Sequence, residues 1–229
     1  MNVLTIDLDY ISTNYAKLVD NNFYNNFADK RWGEFYNNTY YKEEHFNVSI
    51  DNWMFILDVF TKALSKCQNV SFGFEHDSIL FDLHHVDEEI SILNIDQHHD
   101  ICYLDEQYKE VIEYDIVSQA DWVLWLVKNK KLSSYIWVGN ENSTPLDSSV
   151  VQLDWNYQSI SKENLEIGNY NFDYIFVCGS PQYLAPHHWY HFDIMKMIYE
   201  NITGETAKVH RNKFGYDLSK HYKYKGRSL

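Results

Sequence analysis

Apolar positions in this chain fall into short unbroken runs and one clear helical stripe, and the two kinds of segment alternate. Residues 2–8 (NVLTIDL), 70–74 (VSFGF), 90–96 (ISILNID), 135–138 (YIWV) and 172–179 (FDYIFVCG) read as strands, with a shorter one at 150–153 (VVQL). The plainest helix covers 51–67, where Ile56, Phe60 and Leu64 recur at four-residue spacing, Trp53 and Leu57 flank the stripe, and Asp51 is placed to cap the start. Further helices are expected at 118–129 and 188–201, and a brief helical turn over 78–85. Residues 14–27 show weak helical periodicity and 28–49 little signal. Buried strands separated by helices predict an α/β fold with a largely parallel sheet, whose active site lies at the carboxyl ends of the strands.

Composition narrows this picture. At 229 residues the chain suits a single domain spanning 1–229, and its 19 Tyr, 13 Phe and 7 Trp suit a folded core despite a formal net charge of -14. An acidic body disfavours nucleic acid and attracts a cationic substrate. The segment 208–229 is the exception, because it holds seven of the 19 Lys and Arg but one of the 33 acidic residues. It reads as a basic tail that pairs with the acidic body. Three cysteines without a CxxC pattern point to a reducing compartment. With no secretory signal pattern and no apolar run of about 18 residues, a cytoplasmic protein without membrane contact is expected.

Four polar clusters sit at predicted strand ends: Asp7/Asp9, Glu75/His76/Asp77, Asp96/His98/Asp100 and the Gly179-Ser180-Pro181 turn. On extended backbone Asp96, His98 and Asp100 share one face, as do Asp7 and Asp9 with Leu8 turned away. Carboxylate and imidazole together suit a borderline divalent ion. Taken singly, each cluster has a plainer reading as caps, surface acids or a surface histidine. The Asp-x-Asp after an apolar strand also fits the opening of a haloacid-dehalogenase-type phosphatase, which leaves Asp96, His98 and Asp100 without a role. With His76 as sixth ligand, four carboxylates and two imidazoles can hold two ions if two Asp residues bridge. The carboxylate charge then balances two dications, and metal binding brings the pKa of water toward neutrality.

These residues resemble the arginase/agmatinase (ureohydrolase) superfamily, whose pattern is a Gly-Gly-Asp-His-like element, then Asp-Ala-His-x-Asp, then Ser-x-Asp-x-Asp. FEHD (74–77) is similar to the first element, DQHHD (96–100) to the second and TIDLD (5–9) to the third. Here the Asp-x-Asp element comes first, so the strand order is permuted, as in the atypical branch that contains peptide arginases. The resemblance implies a three-layer α/β/α fold and two Mn2+ per chain. Asp7 and Asp96 would bridge, His76 and Asp100 complete one site, and His98 and Asp9 the other. It also implies hydrolysis of arginine residues in a precursor peptide to ornithine and urea. Free arginine or agmatine, or another metal-dependent amidohydrolase reaction, is the alternative. His99, His187 and His188 are candidates for the proton shuttle, and Glu75, Glu141 and Asp77 for holding the guanidinium, with Glu75 preferred. Asp100 joins His99, His188 and Glu75 as a residue expected to take part in catalysis. The oligomeric state is left open.

Overall fold

The computed structural model describes residues 1–13, 32, 46–147 and 155–210. The chain opens with β1 (Asn2–Asp7), which passes into a 3-10 turn at Leu8–Ile11, and α1 (Ile50–Leu64) leads to β2 (Val70–Gly73). A 3-10 turn at His76–Ile79 runs into the single-turn α2 (Leu80–Leu83), followed by β3 (Ile90–Ile95), α3 (Asp105–Tyr114) and α4 (Trp122–Lys128). The remaining elements are β4 (Leu132–Val138), β5 (Asn156–Ile160), β6 (Tyr174–Cys178), α5 (Tyr190–Thr203) and β7 (Lys208–Val209).

All seven strands form one sheet in the order β5-β4-β3-β1-β6-β2-β7, and every neighbouring pair is parallel. Alternate residues of the central strands face opposite layers, as a period of two requires. Leu4, Ile6, Leu93, Ile95, Ile175 and Val177 pack with Ile56 and Phe60 of α1 and with Phe192 and Met195 of α5. Val3, Ile92, Tyr174 and Phe176 pack with Trp122, Val123 and Leu126 of α4 and Val111 of α3. Helices thus cover both faces, giving the α/β/α layering expected.

The chain leaves β1 for β2 on one side of the sheet and leaves β3 for β4 on the other. Two adjacent strands whose connections diverge open a crevice at their carboxyl ends, and β1 and β3 are such a pair. That crevice is where the polar clusters meet.

Several expectations need correction. Ser49 caps α1, its side chain accepting the Asn52 N–H, while Asp51 lies in the first turn. β4 begins three residues earlier than its apolar run, at Leu132. The segment 118–121 is a turn closed by Asp121, which accepts from Ser118 N and Oγ, and α4 begins only at Trp122. The helix expected from 188 begins at Tyr190, after a 3-10 turn at Pro186–His188. α3, β5 and β7 were not expected at all. The segments 14–27 and 150–153, most of 28–49 and the tail beyond His210 lie outside the described residues. Among those described, no helix is long and apolar enough to cross a membrane.

Candidate metal centre

Asp7 is the last residue of β1, and its Oδ1 accepts the backbone N–H of Asp9 at 2.9 Å. The strand has by then become a 3-10 turn, so Asp7 and Asp9 converge because the chain bends. The expectation of an extended i, i+2 face is corrected there and again after β3. Residues 96–100 form a tight loop in which Asp96 Oδ1 accepts the His98 N–H at 2.8 Å and Asp100 takes a left-handed φ of 50°. A non-glycine residue held in that region marks a loop fixed by its surroundings.

His76 arrives from the end of β2. Its Nδ1 lies 2.8 Å from Asp100 Oδ2, 3.1 Å from Asp96 Oδ2 and 3.3 Å from Asp7 Oδ2. On the other side of Asp96, His98 Nδ1 lies 2.8 Å from Asp9 Oδ2 and 3.9 Å from Asp96 Oδ1. Two groups of potential ligands result, Asp7/His76/Asp96 and Asp9/Asp96/His98, each with its donor atoms close enough to share one ion. Asp96 belongs to both. Asp100 closes on the first group through His76.

Neighbours hold these side chains in place. Trp122 Nε1 donates to Asp100 Oδ2 at 2.7 Å, and Trp137 Nε1 to the Asp96 carbonyl at 2.9 Å. Inside the sheet, Thr5 Oγ1 donates to Asn94 Oδ1. Asn94 Nδ2 then donates to Asp96 Oδ2 at 3.2 Å and to Tyr135 OH at 2.8 Å, and that hydroxyl donates to the His99 carbonyl. The His76 ring packs between Trp122 and Phe176.

Without a cation the site must be neutralised by protons. Burial and then the charge of Asp7 push Asp9 well up, and burial with the charge of Asp96 does the same to Asp100. Burial also opposes charge on both imidazoles, yet Asp100, Asp7 and Asp96 outweigh it at His76, and Asp9 and Asp96 raise His98 to about 10. Asp96, pushed up by burial but facing both imidazoles, is held down at about 2. Carboxylates crowded in this way need positive charge to stay ionised. His76 supplies the test of fit. It is 2 % exposed, and neither ring nitrogen meets a hydrogen-bond partner of good geometry among the described residues, although Nδ1 sits amid three carboxylates. A buried polar atom so placed suits a metal ligand better than a hydrogen-bonding group. The buried Asp/His clusters can hold a metal ion.

The centre opens into a cavity of about 570 Å³ lined by Asp7, Asp9, His76, His98 and Asp100 at its base and by Tyr103, Tyr183, Glu106 and Glu110 along its wall. Asp100 is in the site as expected, but Glu75, His99 and His188 are not among the lining residues. His99 Nδ1 accepts the Ile101 N–H, and its ring stacks on Tyr103. Burial, with the nearby charge of His98, lowers it to about 4, so it serves as a neutral brace for the loop. His188 Nε2 is 2.9 Å from the Phe46 carbonyl. Glu75 is buried, and neither Glu141, near Asn52 Nδ2, nor Asp77 or His187 lines the cavity. Tyr103, Glu106 and Glu110 were missed because they flank or lie on α3, whose apolar pattern is faint. A Gln at the third helical position could have signalled a capped start, since Gln107 Oε1 accepts Tyr103 and Leu104 N–H. Compared with known proteins, the chain matches no protein-family model, and no curated protein or solved structure is detectably similar to it.

Proposed function

We propose that the chain is a binuclear-metal hydrolase that converts arginine residues of a peptide to ornithine with release of urea. The observation that carries this reading is the joining of two Asp/His ligand groups through Asp96 at the base of an acidic, tyrosine-walled cavity. Asp7 and Asp96 would be shared between two Mn2+ ions, with His76 and Asp100 completing one site and His98 and Asp9 the other. Two such ions would supply a water acidic enough to act as nucleophile near neutral pH, together with positive charge where the reaction develops negative charge.

The residues of the chain do the rest. A guanidinium stays protonated at ordinary pH, so it must be drawn in and oriented against an unreactive, delocalised carbon. The acidic wall attracts it, and the rings of Tyr103 and Tyr183 border its path. A carboxylate oxygen of Asp7 or Asp96 would accept a proton that the attacking water gives up. The water oxygen would join the guanidinium carbon and the bond from that carbon to the side-chain nitrogen would break, the nitrogen leaving as an ammonium that takes up both protons of the water, one of them through the accepting carboxylate, while the carbon departs as urea. A volume of about 570 Å³ accommodates a long side chain with part of its flanking peptide.

Incubation of the Mn-loaded protein with an arginine peptide tests the reading by mass spectrometry and urea assay. Ornithine in the peptide and matching urea are expected, with little urea from free arginine. Turnover of free arginine or agmatine alone would move the substrate to a small molecule. A loaded protein inert toward every guanidine but active on amides would replace the reading with that of an amidohydrolase.

A further inference from the structure

His99 lies outside the cavity, yet it is buried against one of the residues that wall it. Its ring stacks on Tyr103 with centroids 4.2 Å apart and planes 19° from parallel, and it meets the Trp137 ring of β4 edge-on at 5.8 Å. Tyr103 is held at three further points. Its hydroxyl accepts the His99 N–H at 3.0 Å, its own N–H donates to Gln107 Oε1 at 3.0 Å, and its ring meets His98 edge-on at 6.2 Å. The residue is nonetheless only half-buried, and it lines the cavity. A series of rings thus runs from Trp137 through His99 to Tyr103 and ends at the cavity.

A ring fixed in this way reads what the acidic field cannot. A formal charge of -14 draws lysine as readily as arginine. A guanidinium, however, is planar and weakly hydrated and stacks on an aromatic face, whereas an ammonium is a compact, strongly hydrated point charge. Because Tyr103 is already held in one orientation, little of its freedom remains to be lost when a cation packs on it.

We infer that Tyr103 is a specificity-determining residue of the cavity, its ring stacking against the planar cation of the substrate and selecting guanidinium over ammonium. This deepens the reading of the cavity as a site for an arginine peptide and rests on it for the identity of the substrate. The general acidity of the chain brings either cation to the cavity, by attraction that salt weakens. The ring chooses between them by shape and hydration, which salt leaves in place.

The test uses the full chain loaded with Mn2+ and two variants, Tyr103→Phe, which keeps the ring, and Tyr103→Leu, which fills the space without one. Stopped-flow fluorescence anisotropy, read before turnover, compares a labelled peptide bearing one arginine in a neutral context with the same peptide bearing lysine instead. Urea release and metal content are followed in parallel. Wild type is expected to bind the arginine peptide about tenfold more tightly than the lysine peptide. That ratio should hold as salt rises, although both affinities fall. Tyr103→Phe is expected to keep the preference. Tyr103→Leu is expected to lose it through weaker arginine binding alone, with lysine binding and metal content unchanged. Equal affinity of wild type for the two peptides, a ratio that collapses with salt, or a preference that survives in Tyr103→Leu overturns the assignment. So does a preference lost in Tyr103→Phe, which would give the role to the hydroxyl. The wild-type ratio, its salt dependence and Tyr103→Phe decide the matter even where Tyr103→Leu fails to fold. A ring-dependent preference without urea release leaves the role of Tyr103 standing and removes the hydrolase reading. Urea release without the preference does the reverse.

Discussion

At the scale of single residues, Asp96 is the hinge of the site, since one oxygen faces His76 and the other faces His98. Its geometry depends on Asn94, which reaches Asp96 and Tyr135 from within the sheet. Asn94→Leu, which keeps the volume but removes the amide, is expected to weaken metal binding about 10- to 100-fold. Titration with Mn2+ would show it, and unchanged affinity would mean that the network is merely structural. Protonation gives a second expectation. In the metal-free protein His98 is raised to about 10 and Asp9 and Asp100 are raised above their usual range, so this site contributes stability at low pH. That contribution is lost as pH rises through these values, because each group holds its proton more tightly folded than unfolded. Thermal melts of the metal-free protein should therefore show the site destabilising it between about pH 6.5 and 10. Metal loading should remove the loss and release protons, with affinity rising over the same range. An alkaline limb that is the same with and without metal would contradict this. The clustering of these Asp and His side chains was legible from sequence, because Asp and His at short spacing after apolar runs are rarely placed for packing alone. The reason for their convergence was not, since it lies in the bends after Asp7 and Asp96 and in the left-handed Asp100.

Elements carry those side chains, and their ends decide where the side chains go. Gly73 closes β2 with no room for a larger residue, as an added Cβ would lie 2.3 Å from Ser78 Oγ and 2.6 Å from the Phe176 ring. Gly73→Ala should cost about 1–3 kcal/mol by overpacking and displace the turn that delivers His76. Denaturant melts and a Mn2+ titration would both register it, and a variant normal in both would show that the turn can yield. At the sheet edge, Asp82 joins the last strand to the fold, with Lys208 Nζ at 2.5 Å and His210 Nε2 at 2.6 Å. Burial opposes its charge, but these partners and Tyr174 hold its carboxyl below the usual range. Its stabilisation is complete above the ordinary Asp value and is lost as pH falls through the depressed one. Asp82→Asn should therefore lower the melting temperature at neutral pH and flatten the acid limb. β1, β3, β6 and α1 were readable because each buries a long apolar run or stripe. α3, β5 and β7 were not. Val111 is the lone fully buried residue of α3, β5 has no fully buried residue, and β7 is two exposed residues inside a basic segment. Their positions come from pairing and packing with distant elements, which local pattern does not record.

Across the whole molecule, the divergence of the chain between β1 and β3 brings the Asp and His clusters that follow three strands into one crevice, and the chain carries a formal charge of -14. Such a field raises the encounter rate with a cation and is screened as salt rises. For a cationic peptide, kcat/KM should fall steadily with ionic strength, whereas a neutral guanidine-free ligand would show no such trend. A salt-independent rate would remove long-range attraction from the account. The layers, the parallel sheet and the side of the sheet that carries the site were all legible from the order of buried runs. The cavity wall was not, because it is assembled from a loop and a helix whose residues are polar for reasons other than burial. The most direct test of the central claim is metal content after loading with Mn2+ and removal of excess, measured on wild type and on Asp96→Ala. Two ions per wild-type chain are expected, and loss of both in a folded Asp96→Ala protein, since Asp96 belongs to both ligand groups. A wild-type chain that retains none, or an Asp96→Ala chain that retains the full complement, would contradict it.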